Sequence, residues 1–137
     1  MVTLRRAAVA ALVLVPLSCG TSPARGDGTV RSGAEFQLAP GGSVRVADGA
    51  TTLRFDRVSA DSRCPEGVQC VWEGDATVVL TATERGRAAR TFELHTAAEP
   101  SAATVGAHRV RLTGLVPGKP SGGRIAPGAY RVRLRLD

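Results

Sequence analysis

Apolar and polar residues alternate in short runs along most of the chain from residue 34 onward. Val44 and Val46 flank Arg45, for example, and Val132 and Leu134 flank Arg133. A period of two residues places alternate side chains on opposite faces of a strand, and no stretch repeats with the period of a helix. The pattern predicts about seven strands, at residues 35–38, 43–47, 51–58, 76–83, 89–95, 108–115 and 130–136.

Turn signals separate these runs. Asp48-Gly49 is a strong signal for a two-residue hairpin turn, and residues 117–128 form a long connection rich in Pro and Gly. Residues 96–106 are predicted to be a loop, and the alternation slips at Val58, which indicates a bulge or the end of a strand. The fold class predicted for residues 34–137 is all-β, a small antiparallel β-sandwich or barrel.

The first 33 residues have a different character. Arg5-Arg6 precedes an eleven-residue apolar run, 7–17. This run is shorter than the about 20 residues that span a bilayer, but it fits the core of a signal peptide. Residues 1–18 are therefore predicted to be a signal peptide, and residues 19–33, rich in Gly, Ser, Thr and Pro, a flexible tether.

Cys19 follows a small residue in Leu17-Ser18-Cys19-Gly20, which resembles the bacterial motif for lipidation. Pro16 stands where that motif prefers Leu, and the small residues ending at Ala24 offer a rival site for ordinary cleavage. One route predicts a lipid-anchored protein on the outer face of the membrane or in the periplasm, and the other a secreted protein. Both predict export.

Three cysteines are present, and either route acylates or removes Cys19. Cys64 and Cys70 then remain, and two cysteines six residues apart in an exported domain predict a disulfide. A loop this short gives only about 2 kcal/mol in the chain-entropy treatment, so the bond shapes the loop more than it holds the fold. Together with His95 and His108 the two cysteines match no standard zinc spacing, so both histidines are predicted to be ordinary surface residues.

The run Asp61-Ser62-Arg63-Cys64-Pro65, followed by Cys70-Val71-Trp72 and Gly74, resembles a motif of uncharacterised exported bacterial proteins that include predicted lipoproteins. Residues 115–117 and 125–130 are also similar, so the resemblance covers most of the domain. It implies an exported β-domain and carries no activity. The family motif has a small residue at the position of Glu73, so no role is implied there.

Leu115-Val116-Pro117-Gly118 and the strand that begins at Tyr130 resemble a corner of fibronectin type III domains. The resemblance implies that the Tyr130 hydroxyl fixes a corner by hydrogen-bonding to backbone.

Charge is unevenly distributed. Residues 56–75 carry five acids and two arginines, whereas residues 76–136 carry ten basic residues and three acids. The acids of the first segment suggest an acidic patch, although pairing within the protein, with Arg63 or with the arginines of the last strand, is the simpler expectation. Their spacing matches no calcium loop, so no metal and no cofactor is predicted. The four acids of the suggested patch are Asp61, Glu66, Glu73 and Asp75.

Arg131, Arg133 and Arg135 alternate with apolar residues on the last predicted strand, which is expected at or near a sheet edge. The chain has 4% aromatic residues, fewer than nucleic-acid binders that stack bases on aromatic side chains require. The arginines are therefore predicted to be a solvated face, with weak attraction at most to anionic lipids or envelope polymers, and no nucleic-acid partner is predicted.

Trp72, the single tryptophan, follows Cys70-Val71 directly. The preferred prediction is a core residue packed over the disulfide, as in immunoglobulin sandwiches. The alternative is an exposed anchor for a partner, because Trp is enriched at binding hot spots.

These patterns favour a non-enzymatic envelope module, expected to be a monomer, that binds an unknown partner through the loop between Cys64 and Cys70. One alternative is a secreted hydrolase that uses Asp61, Glu66, Glu73 and Asp75. The other is a protease inhibitor that presents residues 65–69 as an extended strand. The candidate partner-binding residues are Arg63, Glu66, Trp72, Glu73 and Asp75.

Overall fold

The computed structural model describes residues 28–137, which contain nine strands and one short 3-10 turn, Pro127–Ala129. The predicted signal peptide, Cys19 and the first part of the tether lie outside the described residues. No helix in the described range is long and apolar enough to cross a membrane. The strands are β1 Thr29–Val30, β2 Glu35–Leu38, β3 Ser43–Val46, β4 Thr51–Asp61, β5 Ala76–Glu84, β6 Arg90–His95, β7 Ala102–Val105, β8 His108–Val116 and β9 Arg131–Leu136.

The strands form two sheets, which confirms the predicted all-β sandwich. The first sheet has the order β1-β3-β4-β5-β6 and the second the order β2-β9-β8-β7. Neighbouring strands are antiparallel except for β1, which runs parallel to β3. Because β4 runs back along β3 and is followed by β5, the connection from β4 to β5 lies at the end of the sandwich opposite the β3–β4 hairpin.

The core lies between the sheets, where inward side chains alternate with exposed ones. β9 shows this most simply, since its arginines are exposed and its apolar residues are buried. Burying one large apolar side chain contributes about 1.5–3 kcal/mol, so these side chains are the main source of stability. Fully buried members include Leu53, Phe55, Leu80 and Leu94 from the first sheet and Val110, Val132, Leu134 and Leu136 from the second.

β4 extends beyond its predicted end at Val58. Its pairing with β5 is irregular between Phe55 and Arg57 and again between Val58 and Ala60, which confirms the bulge indicated by the slipped alternation. The irregularities let the strand continue to Asp61, which lies opposite Ala76.

The sequence pattern missed two strands. β7 lies in the predicted loop 96–106, and its small residues Ala102 and Ala103 give no alternation of bulky side chains. β1 lies within residues 19–33, assigned to the tether, yet Val30 is buried and Thr29 pairs with Arg45. The sheet therefore includes residues that the pattern placed outside the domain.

The last strand is expected at or near a sheet edge, and β9 lies near one: it is the neighbour of the edge strand β2 and pairs with both β2 and β8. This pairing sets Arg135 directly opposite Arg111, an arrangement of like charges that is destabilising by itself. The Asp137 carboxylate accepts from both guanidinium groups, at 2.9 Å from Arg135 Nε and 3.3 Å from Arg111 Nε, and offsets the repulsion.

The β3–β4 hairpin contains Asp48-Gly49 as predicted, but four residues separate the strands instead of two. The Asp48 carboxylate accepts hydrogen bonds from the backbone N–H of Ala50 (2.8 Å), from that of Thr51 (3.0 Å) and from the Thr51 hydroxyl (3.2 Å). His108 lies with its Nε2 3.4 Å from Asp48 Oδ2 and is only 20% exposed, so it is not the free surface residue expected. The carboxylate thus ties the turn to the start of β8.

Asp48→Ala should lower the free energy of unfolding and the urea midpoint, because the buried Thr51 loses its side-chain partner and the turn loses its internal acceptor. Urea unfolding of the two proteins measures the difference. Glu93→Ala is the control, since Glu93 is exposed and makes no side-chain hydrogen bond within residues 28–137. An equal unfolding midpoint in all three proteins would contradict the role given to Asp48.

Candidate functional site

Residues 62–75 connect β4 to β5 and are called the cysteine loop below. The Cys64 and Cys70 sulfurs are 2.12 Å apart and the Cα atoms 5.9 Å apart, which confirms the predicted disulfide. The bond closes the outer part of the loop, while the strands hold its base.

Backbone hydrogen bonds extend the pairing of β4 with β5 into the base of the loop. Ser62 N donates to Asp75 O at 2.7 Å, and Cys64 N donates to Glu73 O at 3.0 Å. Gly74 has φ 72°, and a Cβ atom built there would lie 1.9 Å from Ser62 O. Only glycine fits this close approach, so the base of the loop has a fixed shape.

A turn occupies the segment between the cysteines. Val68 N donates to Pro65 O at 3.3 Å, and Gly67 has φ 74°, the conformation that a type II turn requires at its third residue. Glu66 N also donates to Lys119 O at 2.9 Å, which joins the loop to the connection before β9. The segment therefore lacks the extended conformation that the inhibitor hypothesis requires.

Arg63 and Asp61 form a two-pronged ion pair beneath the loop. Arg63 Nε donates to Asp61 Oδ1 and Arg63 Nη2 to Asp61 Oδ2, both at 2.8 Å. The two side chains are only 15% and 10% exposed. Pairing of Asp61 with Arg63, the simpler of the two expectations for this acid, is thus what the structure shows.

The ion pair connects the two sheets. Arg63 Nη1 donates to Leu115 O at 2.8 Å and Nη2 donates to Pro117 O at 3.0 Å, at the end of β8 and just beyond it. The Tyr130 hydroxyl donates to Asp61 Oδ2 at 2.9 Å. The prediction that Tyr130 bonds to backbone is therefore wrong, since its partner is a carboxylate 69 residues earlier in the chain.

This geometry fixes the charge states of Asp61, Arg63 and Tyr130. Hydrogen bonds from Arg63, and then from Tyr130, outweigh burial and lower the pKa of Asp61 from 3.8 to about 2. The bond to Asp61 raises the pKa of Arg63, and burial together with the same carboxylate raises the pKa of Tyr130. Around neutral pH the group is an anionic Asp61 held by a cationic Arg63 and a neutral phenol.

Asp75, at the other side of the loop base, pairs with His95. Asp75 Oδ2 lies 2.6 Å from His95 Nδ1, and Asp75 Oδ1 accepts from Ala97 N at 2.9 Å and from the Thr96 hydroxyl at 3.2 Å. Burial opposes ionisation, but the bonds from Ala97 and His95 outweigh it and lower the pKa of Asp75. His95 is 23% exposed and is held by this carboxylate, so the prediction of an ordinary surface histidine is wrong.

The four acids suggested as one patch have separate surroundings. Asp61 faces Arg63 and Tyr130, Asp75 faces His95, and Glu66 and Glu73 are exposed. The hydrolase hypothesis needs two of these carboxylates in one pocket. A cavity of about 490 Å³ is lined by Asp61 alone among the four. No group of three or more His, Cys, Asp or Glu residues within 28–137 is arranged to hold a metal ion.

Large apolar side chains are exposed on the cysteine loop. Trp72 is 83% exposed, Val71 91% and Val68 47%, and they are the exposed large apolar residues of the described range. The preferred prediction of Trp72 as a core residue is therefore wrong. The strands fill the core without it, and the loop carries residues 71 and 72 away from both sheets. These three residues are called the apolar tip below.

The candidate partner-binding residues divide into two groups. Trp72, Glu66 and Glu73 are exposed, whereas Arg63 and Asp75 are engaged in holding the loop base. Sequence reasoning missed Val68 and Val71 as parts of the surface. The available signal was the absence of strand alternation around them, since they belong to no predicted strand.

No protein-family model matches the chain, and the comparisons found no matching curated protein or solved structure. The resemblance carried by residues 61–74 stays a prediction.

Asp61→Asn should lower the free energy of unfolding at pH 7 by about 2–4 kcal/mol, because Arg63 would keep its charge without an anionic partner. The folded pKa of Asp61 lies below its unfolded value of 3.8, so its contribution is complete above that pH range and is lost as the pH falls toward about 2. Urea unfolding between neutral pH and pH 2 should therefore show the wild type and the variant converging in acid.

The matched control is Glu73→Gln, which removes an exposed carboxylate from the same loop and should leave the unfolding free energy nearly unchanged. A difference between wild type and Asp61→Asn that stays constant down to pH 2 would contradict the ion-pair assignment.

Proposed function

We propose that this protein is a non-enzymatic module of the cell envelope that binds a partner through the apolar tip, Val68, Val71 and Trp72. The observation that carries the proposal is the 83% exposure of Trp72 on a loop whose base is rigidly held. An exposed large apolar group stabilises no fold by itself, and its burial against a partner is favourable.

The construction of the loop suits binding. The disulfide, the turn at residues 65–68 and the hydrogen bonds of the base restrict the loop before any partner arrives. Less conformational entropy is then lost on association, and more of the burial energy of Trp72 appears as affinity. Tryptophan is also the residue type most enriched among binding hot spots.

The rest of the candidate site supports this role in two ways. Glu73, next to Trp72 in sequence, is exposed and would form part of a polar, anionic rim, while the exposed Glu66 carboxylate lies against Gly118 of the 117–128 connection. Arg63 and Asp75 hold the base of the loop, since their hydrogen bonds fix the direction in which the loop leaves the sandwich. The partner surface expected is an apolar pocket bordered by cationic or N–H donor groups.

Export and lipidation at Cys19 form the second part of the proposal. The disulfide is compatible with an oxidising compartment, where such bonds persist.

Trp72→Ala should abolish capture of the partner from native envelope extracts or weaken it by more than about tenfold, because a hot-spot truncation removes at least about 2 kcal/mol. The fold should be unchanged, since Trp72 takes no part in the core. The measurement is a pull-down with the full mature protein, followed by titration of the captured partner against wild type and variant.

Glu93→Ala, on the opposite side of β6 from the core, is the control for an exposed substitution, and Cys64→Ser with Cys70→Ser tests the need for a closed loop. Capture of the same partner with equal affinity by Trp72→Ala would refute the proposed site.

Cys19→Ala should move the protein from the membrane fraction to the soluble fraction, because the thiol that would carry the lipid is absent. Fractionation of cells that express the full chain measures the shift, and mass spectrometry of the mature N-terminus identifies the cleavage site. Unchanged membrane association, or an unmodified mature N-terminus at Arg25, would rule out the lipid anchor.

A further inference from the structure

A cavity of about 490 Å³ lies at the cysteine-loop end of the sandwich, separate from the apolar tip. The connection 117–128 forms one of its sides, and Asp61 at the end of β4 together with Tyr130, just before β9, forms the other. The volume is in the range of sites that hold small organic ligands, about 300–1,000 Å³. Its lining residues are Asp61, Lys119, Gly123, Arg124, Ile125 and Tyr130.

The cavity has a positive electrostatic balance. Asp61 contributes a carboxylate, but Arg63 and Tyr130 already donate to both of its oxygens, so this charge is neutralised from within the protein. Lys119 and Arg124 are the remaining charged groups of the lining. The lining therefore has two cations that the internal ion pair does not compensate.

Both cations have unused donors. Lys119 Nζ donates to Asp61 O at 3.1 Å, and an ammonium group carries three N–H donors. Arg124 makes no side-chain hydrogen bond and no ion pair with the residues from 28 to 137. A guanidinium group offers five donors in a planar fork that matches carboxylate and phosphate oxygens.

The remaining walls are apolar or open. Ile125 is partly buried and packs against the hydrophobic core, and the ring of Tyr130 is buried beside it. Gly123 has φ 105° and no side chain, which leaves space next to Arg124. The lining thus combines two cationic donors with a small apolar wall.

We propose that this cavity binds a small organic anion whose carboxylate or phosphate group lies on Lys119 and Arg124 and whose apolar part lies on Ile125 and Tyr130. The shared chemistry is an oxyanion attached to a compact apolar group. A cation is disfavoured, because the one carboxylate in the lining has both oxygens engaged. The cavity is lined by other residues than the apolar tip, and the proposal does not rest on the partner proposed for the tip.

The test is titration of the full mature protein with benzoate, phenyl phosphate and inorganic phosphate, followed by amide NMR shifts and calorimetry. Benzamide is the neutral control, since it has the ring and shape of benzoate without the charge. Benzoate or phenyl phosphate should shift resonances of residues 118–130 and bind at least about tenfold more tightly than benzamide, because charge-assisted hydrogen bonds exceed the 1.4 kcal/mol that this factor represents. The stronger of the two ligands identifies the carboxylate or the phosphate class.

Arg124→Gln should weaken the binding of benzoate or phenyl phosphate at least about tenfold. Arg57→Gln, which removes the same charge from the exposed face of β4, should leave it unchanged. Lys119→Gln is the second variant, with its fold checked by circular dichroism because Lys119 also contacts Asp61. Trp72→Ala should bind benzoate as the wild type does, which separates this proposal from that for the apolar tip.

Three results would overturn the proposal. The first is the absence of amide NMR shifts with every anion at about 10 mM, a concentration at which even a Kd of 1 mM would give near saturation. The second is shifts confined to residues outside 118–130. The third is equal affinity of the wild type and Arg124→Gln for the anion.

Discussion

The end of the sandwich that carries the proposed sites depends on the ion pair between Asp61 and Arg63. Asp61 is the last residue of the first sheet's longest strand, and Arg63 reaches from it to the carbonyl groups of Leu115 and Pro117 beside the second sheet. A partly buried pair of this kind adds less net stability than its contacts suggest, because both ions are removed from water. Its larger effect here is to fix the positions of the groups around it, since the Asp61 carboxylate at the end of β4 holds both Arg63 and Tyr130.

The exposure of the apolar tip depends on how the base of the cysteine loop is held. Gly74 and the base hydrogen bonds set the direction of the loop, the disulfide closes its outer part, and Trp72 on this loop is exposed. In an unconstrained loop an indole side chain would gain by folding onto nearby apolar surface. In this loop Trp72 stays exposed, and that observation is the basis of the proposal that the apolar tip binds a partner.

Alternation of side chains was sufficient to predict the seven strands that carry the core, because inward positions there hold bulky residues such as Leu53 and Leu80. It failed for β7, a four-residue strand whose inward positions hold one bulky residue, Val105, beside Ala103. It also failed for the site, because the contacts there join residues far apart in sequence. Asp61 and Tyr130 meet only once the two sheets pack, and Asp75 meets His95 only through the register of β5 with β6. The exposure of Trp72 likewise depends on the direction of the loop, which the residues around it do not encode locally.

Lys119 gives the two proposed surfaces a common support. Its ammonium group donates to Asp61 O at the edge of the cavity, while its carbonyl group accepts from Glu66 N within the cysteine loop. An anion held by Lys119 would therefore restrain the same residue that fixes the turn at Pro65–Val68. Any energetic coupling between the cavity and the apolar tip must be reciprocal, since each ligand changes the affinity for the other by the same factor. The backbone contact between Glu66 and Lys119 joins the cysteine loop to the lining of the cavity, and it is independent of the side chain at position 66.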